Sequence, residues 1–306
     1  MINNDAKLFG RMLTAMVTPF DDKLEIDYKA TEKLVEHLIE TGTTSIVVAG
    51  TTGESPTLEE SEKEALLKAV VKQVRGRVKV IMGTGSNVTS KSVKATKQAE
   101  ALGADGALVV APYYNKPSQA GLLAHFGEIA QATALPIIVY NIPGRTGITI
   151  APDTLTELAA THKNIHAVKD STGNVEIAGE IGGDARQDFL IYSGDDYLTV
   201  PFLSVGASGV VSVASHVLGR EITEMQNAFF EGKLNSAREL HYKLLPMFKG
   251  LFAAPNPTCV KFVLAKLGIC GESLRLPLVP LSAAQREAMD KLAAQYKLDK
   301  ALTANR

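Results

Sequence analysis

Cysteine is scarce in this chain, with two residues, Cys259 and Cys270, among 306. Two are too few for a disulfide framework, and neither lies near a histidine cluster of the kind that holds zinc, so both read as reduced thiols. The six histidines show no paired metal-ligand spacing, and no metal is expected. Charge of one sign is missing as well. With 32 Lys and Arg against 33 Asp and Glu, the net charge of -1 removes the basic field that nucleic acid or an anionic membrane surface requires. No run of about 18 apolar residues offers a membrane span, and the opening MINNDAKLFG lacks the charged-then-apolar order of a secretory leader. A cytoplasmic protein with neither nucleic acid nor membrane as partner is the expectation.

What the chain does hold is apolar residue content enough for one large core or two ordinary domains, at 45% hydrophobic and 21% charged. Eight β-rich runs succeed one another: MLTAMVTPF (12–20), SIVVAG (45–50), VKVIMGTG (78–85), GALVVAPYY (106–114), PIIVYN (136–141), IHAVK (165–169), FLIYSG (189–194) and GVVSV (209–213). Most are continuously apolar, the pattern of a parallel sheet covered on both faces. Helical segments lie between them. One is signalled by Asp27 as N-cap, with Leu34, Val35, Leu38 and Ile39 on one face and Gly42 as its stop. Another is signalled by a capping box from Thr57 to Glu60, with Leu66, Leu67, Val70, Val71 and Val74 following and Gly76 ending it. Eight β-then-α units predict a (β/α)8 TIM barrel, an α/β fold, over residues 1–232. Beyond it, LNSARELHYKLLPMFKGLF, PTCVKFVLAKLG and SAAQREAMDKLAAQY predict three helices without strands, a C-terminal helical appendage over 233–306.

In a barrel, chemistry gathers at the carboxyl ends of the strands. Those ends read GTTGES (50–55), GTGSN (83–87), PYYN (112–115), YNIPGRTG (140–147), KDSTGN (169–174), SGDD (193–196) and SVASH (212–216). Among them IHAVKDSTGN delivers a single amine, Lys169, to the rim. Desolvating an ammonium penalises its charged form, and a neutral amine in a pocket is a nucleophile for carbonyl carbons. Hydroxyls, phenols and a guanidinium surround it, a set suited to a carbonyl compound carrying carboxylates. Other motifs have plainer readings. GTGSN has Val88 where a dinucleotide fingerprint needs its third glycine, so it reads as a turn. Asp195 and Asp196 precede a helical segment and read as N-caps before metal ligands. Gly206 to Gly209 leads into the eighth strand, on the face opposite the rim.

GTTGES, PYYNKPS, YNIPGRTG, VKDSTGN and SGDD, in this order, resemble the pyruvate-dependent lyase family of dihydrodipicolinate synthase and N-acetylneuraminate lyase. The likeness runs from about Leu13 to the end of the barrel and continues through NPTCVKFVL. The Thr51–Thr52 pair and Arg145 resemble the dihydrodipicolinate synthase branch; neuraminate lyases carry a Ser-Thr pair and lack that arginine. The resemblance implies a Schiff-base enzyme in which Lys169 forms a covalent imine with pyruvate, without cofactor or metal, and the derived enamine attacks aspartate-4-semialdehyde in the route to lysine. It implies Tyr140 as acid and base, with Thr51 and Tyr114 as a proton relay whose tyrosine comes from a neighbouring subunit. By the same likeness Thr52 and the nearby peptide N–H groups take the pyruvate carboxylate and Arg145 a second carboxylate, Gly194 and Val211 complete the pocket, and the assembly is a homotetramer of two dimers. The alternatives are another pyruvate-dependent aldolase of the family and a non-catalytic barrel that binds oxo acids.

Lysine-inhibited members of the family bind lysine with residues matching Ser55, Asn87 and Tyr113, all present here. They also use a His and a Glu where this chain has Lys63 and Lys91. A cation in place of the glutamate that faces an ammonium turns attraction into repulsion, so insensitivity to lysine is expected.

Overall fold

The computed structural model describes residues 8–298; residues 1–7 and 299–306, which include most of the opening segment and the ends of both expected domains, lie outside it. All eight expected strands form, seven of them shorter than expected and β6 one residue longer: β1 (Met12–Ala15), β2 (Ser45–Val48), β3 (Lys79–Gly83), β4 (Gly106–Val110), β5 (Ile137–Asn141), β6 (Ile165–Asp170), β7 (Leu190–Ser193) and β8 (Gly209–Ser212). They close in sequence order, every neighbour parallel, with β8 returning to β1. The fold is a (β/α)8 barrel.

The continuous apolar runs now have their explanation. Successive side chains point alternately inward and outward, and both directions are buried. Leu13, Val47, Ile81, Leu108, Ile138, Ala167, Leu190 and Val211 fill the barrel interior, with Tyr140 and Tyr192 among them. Ile46, Val48, Val80, Val109, Val139 and Val168 face a shell of helices. That shell comprises α1 (Tyr28–Glu40), α2 (Glu60–Val74), α3 (Thr89–Ala101), α4 (Gln119–Gln131), the short α5 (Pro143–Thr146), α6 (Pro152–Thr161), α7 (Val175–Asp184), α8 (Thr199–Ser204) and α9 (Ser215–Phe230). In α1, Leu34, Val35 and Leu38 are fully buried, each contributing about 1.5–3 kcal/mol of transfer free energy.

Local signals acted as expected at α1. The Asp27 carboxylate accepts from the Ala30 N–H at 2.9 Å. Gly42 takes φ +100°, and a Cβ there would stand 2.6 Å from Thr223 Oγ1. At α2 the capping box is two residues later than expected. Pro56 presets a 3-10 turn over Ser55–Thr57, so α2 starts at Glu60, and the Glu62 carboxylate accepts from the Glu59 N–H at 2.9 Å. The GTGSN segment is a turn, in which the Ser86 N–H donates to Ser92 Oγ at 2.8 Å just before α3. The three C-terminal helices also form, as α10 (Leu234–Gly250), α11 (Thr258–Lys266) and α12 (Ala283–Gln295). Of these, α10 packs along α9, and α12 lies against α10 and α11.

In the first turn of α9 a histidine is held in one tautomer. His216 is fully buried; its Nε2 accepts from the Val17 N–H at 3.1 Å and its Nδ1–H donates to the Val213 carbonyl at 2.8 Å. Burial lowers its pKa to about 4. An unfolded chain would protonate this imidazole near 6.5 whereas the folded one stays neutral, so its contribution to stability, up to about 3 kcal/mol, is present above pH 6.5 and is lost as pH falls toward 4. The gap in melting temperature between the protein and a His216→Gln variant should therefore narrow between pH 7 and pH 4. A gap constant with pH would mean that the ring is not kept neutral by the fold.

Candidate active site

The register of β5 against β6 sets Tyr140 directly beside Lys169, and both point into the barrel above Ile138 and Ala167. Lys169 is 6% and Tyr140 5% exposed. The amine Nζ lies 4.0 Å from the centroid of the Tyr140 ring, a face-on contact that favours a cation by about 0.5–2 kcal/mol. The contact is made by the ring face, and acid-base partners often reach hydrogen-bond distance only around bound substrate. Gly194, just past β7, is required by closeness. A Cβ at this position would collide with Ser171 Oγ and stand 3.1 Å from Lys169 Cε. Its N–H donates to the Asp170 carbonyl at 2.6 Å, which fastens the end of β7 to that of β6.

The two aspartates after Gly194 do not act as expected. Asp195 precedes a short 3-10 turn, but its carboxylate makes no capping hydrogen bond. Desolvation pushes its pKa up to about 6, opposed by the Lys169 ammonium and reinforced by Asp196 and Asp170. Asp196 is fully buried and caps a different element. It accepts from Ser212 Oγ at 2.5 Å and from the Val213 and Ala214 N–H groups at 3.1 and 2.9 Å, where β8 passes into α9. Spacing within the sequence gave no sign of that partner, which lies 16 to 18 residues downstream. Val211 is buried in β8 opposite Leu13. Among the described residues, no cluster of three or more His, Cys, Asp or Glu side chains is arranged to hold a metal ion.

On the other side of the rim, the loop after β2 is strained and heavily tied. Ala49 and Glu54 both take left-handed backbone angles, φ +50° and +54°, at a cost of about 1 kcal/mol or more each for a residue with a Cβ. The Gly50 carbonyl accepts from the Gly53 and Ser55 N–H groups, and that of Thr51 from Glu54. The peptide N–H groups of Thr51 and Thr52 donate to none of the described residues, which leaves them available to an anion. Thr52 is 3% exposed, and its Oγ1 accepts from Asn256 Nδ2 at 2.9 Å. Glu54 reaches the helical segment too. Its Oε1 meets Lys261 Nζ at 2.5 Å with both side chains out of solvent, and its Oε2 accepts from the Arg275 N–H at 3.0 Å. Lys261 also donates to the Ser273 carbonyl at 2.8 Å and sits 4.2 Å from the Phe20 ring centroid. Burial lowers the Lys261 pKa while Glu54 pulls it back up. Removing one partner of such a pair typically costs 3–5 kcal/mol, because the other charge is left buried alone.

Two expected site residues stand apart from this pocket within the single chain. Tyr114, in the loop after β4, is 90% exposed and takes φ +73°. Arg145, on α5, is exposed as well. Thus Lys169, Tyr140 and Gly194 come together, Val211 lies in β8 next to β7, Thr51 and Thr52 follow β2 on the other side of the rim, and Tyr114 and Arg145 are exposed. Asp195, Asn256 and Lys261 were missed as site residues. Only the NPTCVKFVL stretch, legible as part of the resemblance, pointed toward the last two.

The model of the dihydrodipicolinate synthetase family matches residues 8–296. The chain belongs to that family. Among its relatives, a 4-hydroxy-tetrahydrodipicolinate synthase of Halalkalibacterium halodurans is 51% identical over 290 residues, 95% of this chain and 99% of the relative. The enzyme of that name from Bacillus subtilis is 49% identical over 287 residues, 94% of this chain and 99% of its own. The crystal structure of a dihydrodipicolinate synthase from Bacillus anthracis superposes with a TM-score of 0.92 at 50% identity, covering 94% of this chain and 98% of that one. Family membership thus extends through α12, and the ties from residues 256–275 to the β2 loop lie inside the family's span.

Proposed function

We infer that this protein is a 4-hydroxy-tetrahydrodipicolinate synthase, condensing pyruvate with L-aspartate-4-semialdehyde in lysine biosynthesis. The observation that carries the reading is a buried lysine amine against the Tyr140 ring at the carboxyl rim of a closed parallel barrel, in a chain about half identical to enzymes of that name. Lys169 Nζ adds to the ketone carbon of pyruvate and water departs, leaving an iminium that acidifies the methyl group. Loss of a methyl proton gives the enamine, whose carbon attacks the aldehyde and turns its oxygen into the product hydroxyl. Attack by the semialdehyde's own amine on the iminium carbon then closes the ring and releases Lys169, so one water is lost overall. No cofactor enters this sequence.

The roles follow the family resemblance, and the burial of Lys169 beside Tyr140 supports the first of them. Tyr140, beside the amine, exchanges protons with the departing and arriving oxygens. Thr51 relays protons toward solvent together with a Tyr114 supplied by a neighbouring subunit. The unengaged N–H groups at Thr51 and Thr52 and the Thr52 hydroxyl receive the pyruvate carboxylate, while Arg145 offers a bidentate fork to the carboxylate of the semialdehyde. The carbonyls of Gly194 and Val211 complete the pocket. Among the described residues no helix is long and apolar enough to cross a membrane, and the two buried free cysteines suit a reducing compartment, the cytoplasm.

Incubation with pyruvate and borohydride should fix one reduced adduct per chain, located by peptide mass at Lys169 and absent from Lys169→Ala. An adduct on another lysine would remove the mechanism.

Tyr114 in its strained, exposed conformation supports a dimer as the smallest complete unit and a tetramer of two such dimers. Sedimentation at assay concentration should find the active species no smaller than a dimer; a fully active monomer would contradict the relay.

The enzyme should also be insensitive to lysine. Lys63 is engaged with Glu60 at 2.8 Å and Lys91 is exposed, so two cations stand where lysine-inhibited relatives place a His and a Glu. The change from attraction to repulsion weakens a bound ammonium by about tenfold or more. Initial rates with both substrates near half-saturation should be unchanged by millimolar L-lysine; strong inhibition below millimolar would refute this.

A further inference from the structure

The carboxylate end of the pocket is completed from outside the barrel. Thr52 Oγ1 is hydrogen-bonded to Asn256 Nδ2 at 2.9 Å, and both residues are buried. An amide nitrogen can only donate, so the Thr52 oxygen must be the acceptor in this bond and its own O–H points elsewhere. The reverse orientation of the amide would set its NH2 where the carbonyl oxygen now lies. The present one leaves only the Asn256 Oδ1 without a partner, and a buried carbonyl oxygen tolerates that better than a buried N–H group does. Asn256 itself is fixed because the segment that carries it is anchored five residues later, through the buried Lys261–Glu54 pair, to the same loop as Thr52.

We propose that Asn256 is a positioning residue that reserves the Thr52 hydroxyl proton for the carboxylate of pyruvate. The inference rests on the function given above. With the oxygen lone pair occupied by Asn256, the free proton of Thr52 joins the unengaged N–H groups of Thr51 and Thr52, and all of these are donors. An anion is what such a set selects, and a neutral ketone lacking the carboxylate gains little from it. Without Asn256, the Thr52 hydroxyl is free to rotate and to donate to a backbone carbonyl, and the site loses its polarity without losing its shape.

The test is the pyruvate concentration that half-saturates borohydride trapping at Lys169, together with KM and kcat for both substrates. Asn256→Asp, nearly isosteric, replaces the donor by an acceptor that competes for the Thr52 proton. Half-saturating pyruvate should rise about tenfold or more, with the KM for the semialdehyde within about twofold of the unaltered enzyme. Asn256→Ala, which removes the donor without adding charge, should give a smaller rise, and it serves alone if the aspartate variant does not fold. In a Thr52→Val background Asn256→Ala, which adds no charge, should add no further effect, whereas a merely structural role for Asn256 would leave the two effects additive. Unchanged half-saturation in the Asn256 variants, or additivity in the Thr52→Val background, overturns the proposal. Absence of any adduct in the unaltered enzyme overturns the functional reading as well, so the two failures are told apart by that control.

Discussion

Between β5 and β6, the backbone register sets Tyr140 against Lys169, and the alternation of strand side chains sends both inward. Slipping that register by one residue would bring Val168 into the pocket and turn the amine toward the helices, because strand periodicity is two. Closure of the sheet prevents it: each strand is fixed by two neighbours, and Ala167, Ile138 and Leu190 fill the interior below. The amine is therefore held at the rim by the packing of the barrel as a whole, and its desolvation follows from that position.

The opposite wall is built differently. The β2 loop holds two residues in left-handed conformations and is kept there by bonds to side chains and peptide groups of residues 256–275. Arg275 adds a bidentate pairing with Glu62 at the start of α2, at 2.6 and 2.7 Å. A buried ion pair contributes little net stability compared with a well-packed apolar pair, yet it penalises any arrangement that separates its members. Here that penalty specifies the shape of a loop, with the Lys261–Glu54 pair closing off alternatives that backbone strain would otherwise favour.

Much of the fold was legible from local sequence. Eight apolar runs gave eight parallel strands, since burial on both faces leaves no polar alternation, and three amphipathic segments after residue 232 gave three helices. Lys169 and Tyr140 were legible because they end such runs. Illegible were relationships whose partners are distant in sequence. Glu54 and Lys261 are 207 positions apart, and each looks like a solvated charge when read alone. Asp196 caps backbone beyond the next strand, and Asp195 becomes a desolvated carboxyl only once β6 and β7 are adjacent. At α2, Pro56 shifted the helix start by a mechanism that the Thr57–Glu60 spacing does not encode.

The long reach of those ties has a consequence for how firmly the pocket is kept. Contacts that close more than 200 residues of chain carry a larger loop-closure cost than those within one β-α unit. Excursions that lift residues 256–275 from the barrel release Glu54 and the Thr52 hydroxyl together, while the sheet and the amine stay in place. The shape of the β2 loop therefore depends on the local opening free energy of the helical segment, which can fall well below that of the barrel. Amide hydrogen exchange at Gly53 and Glu54 should follow that of α11 more closely than that of β2, although the two residues lie in the loop that leaves β2.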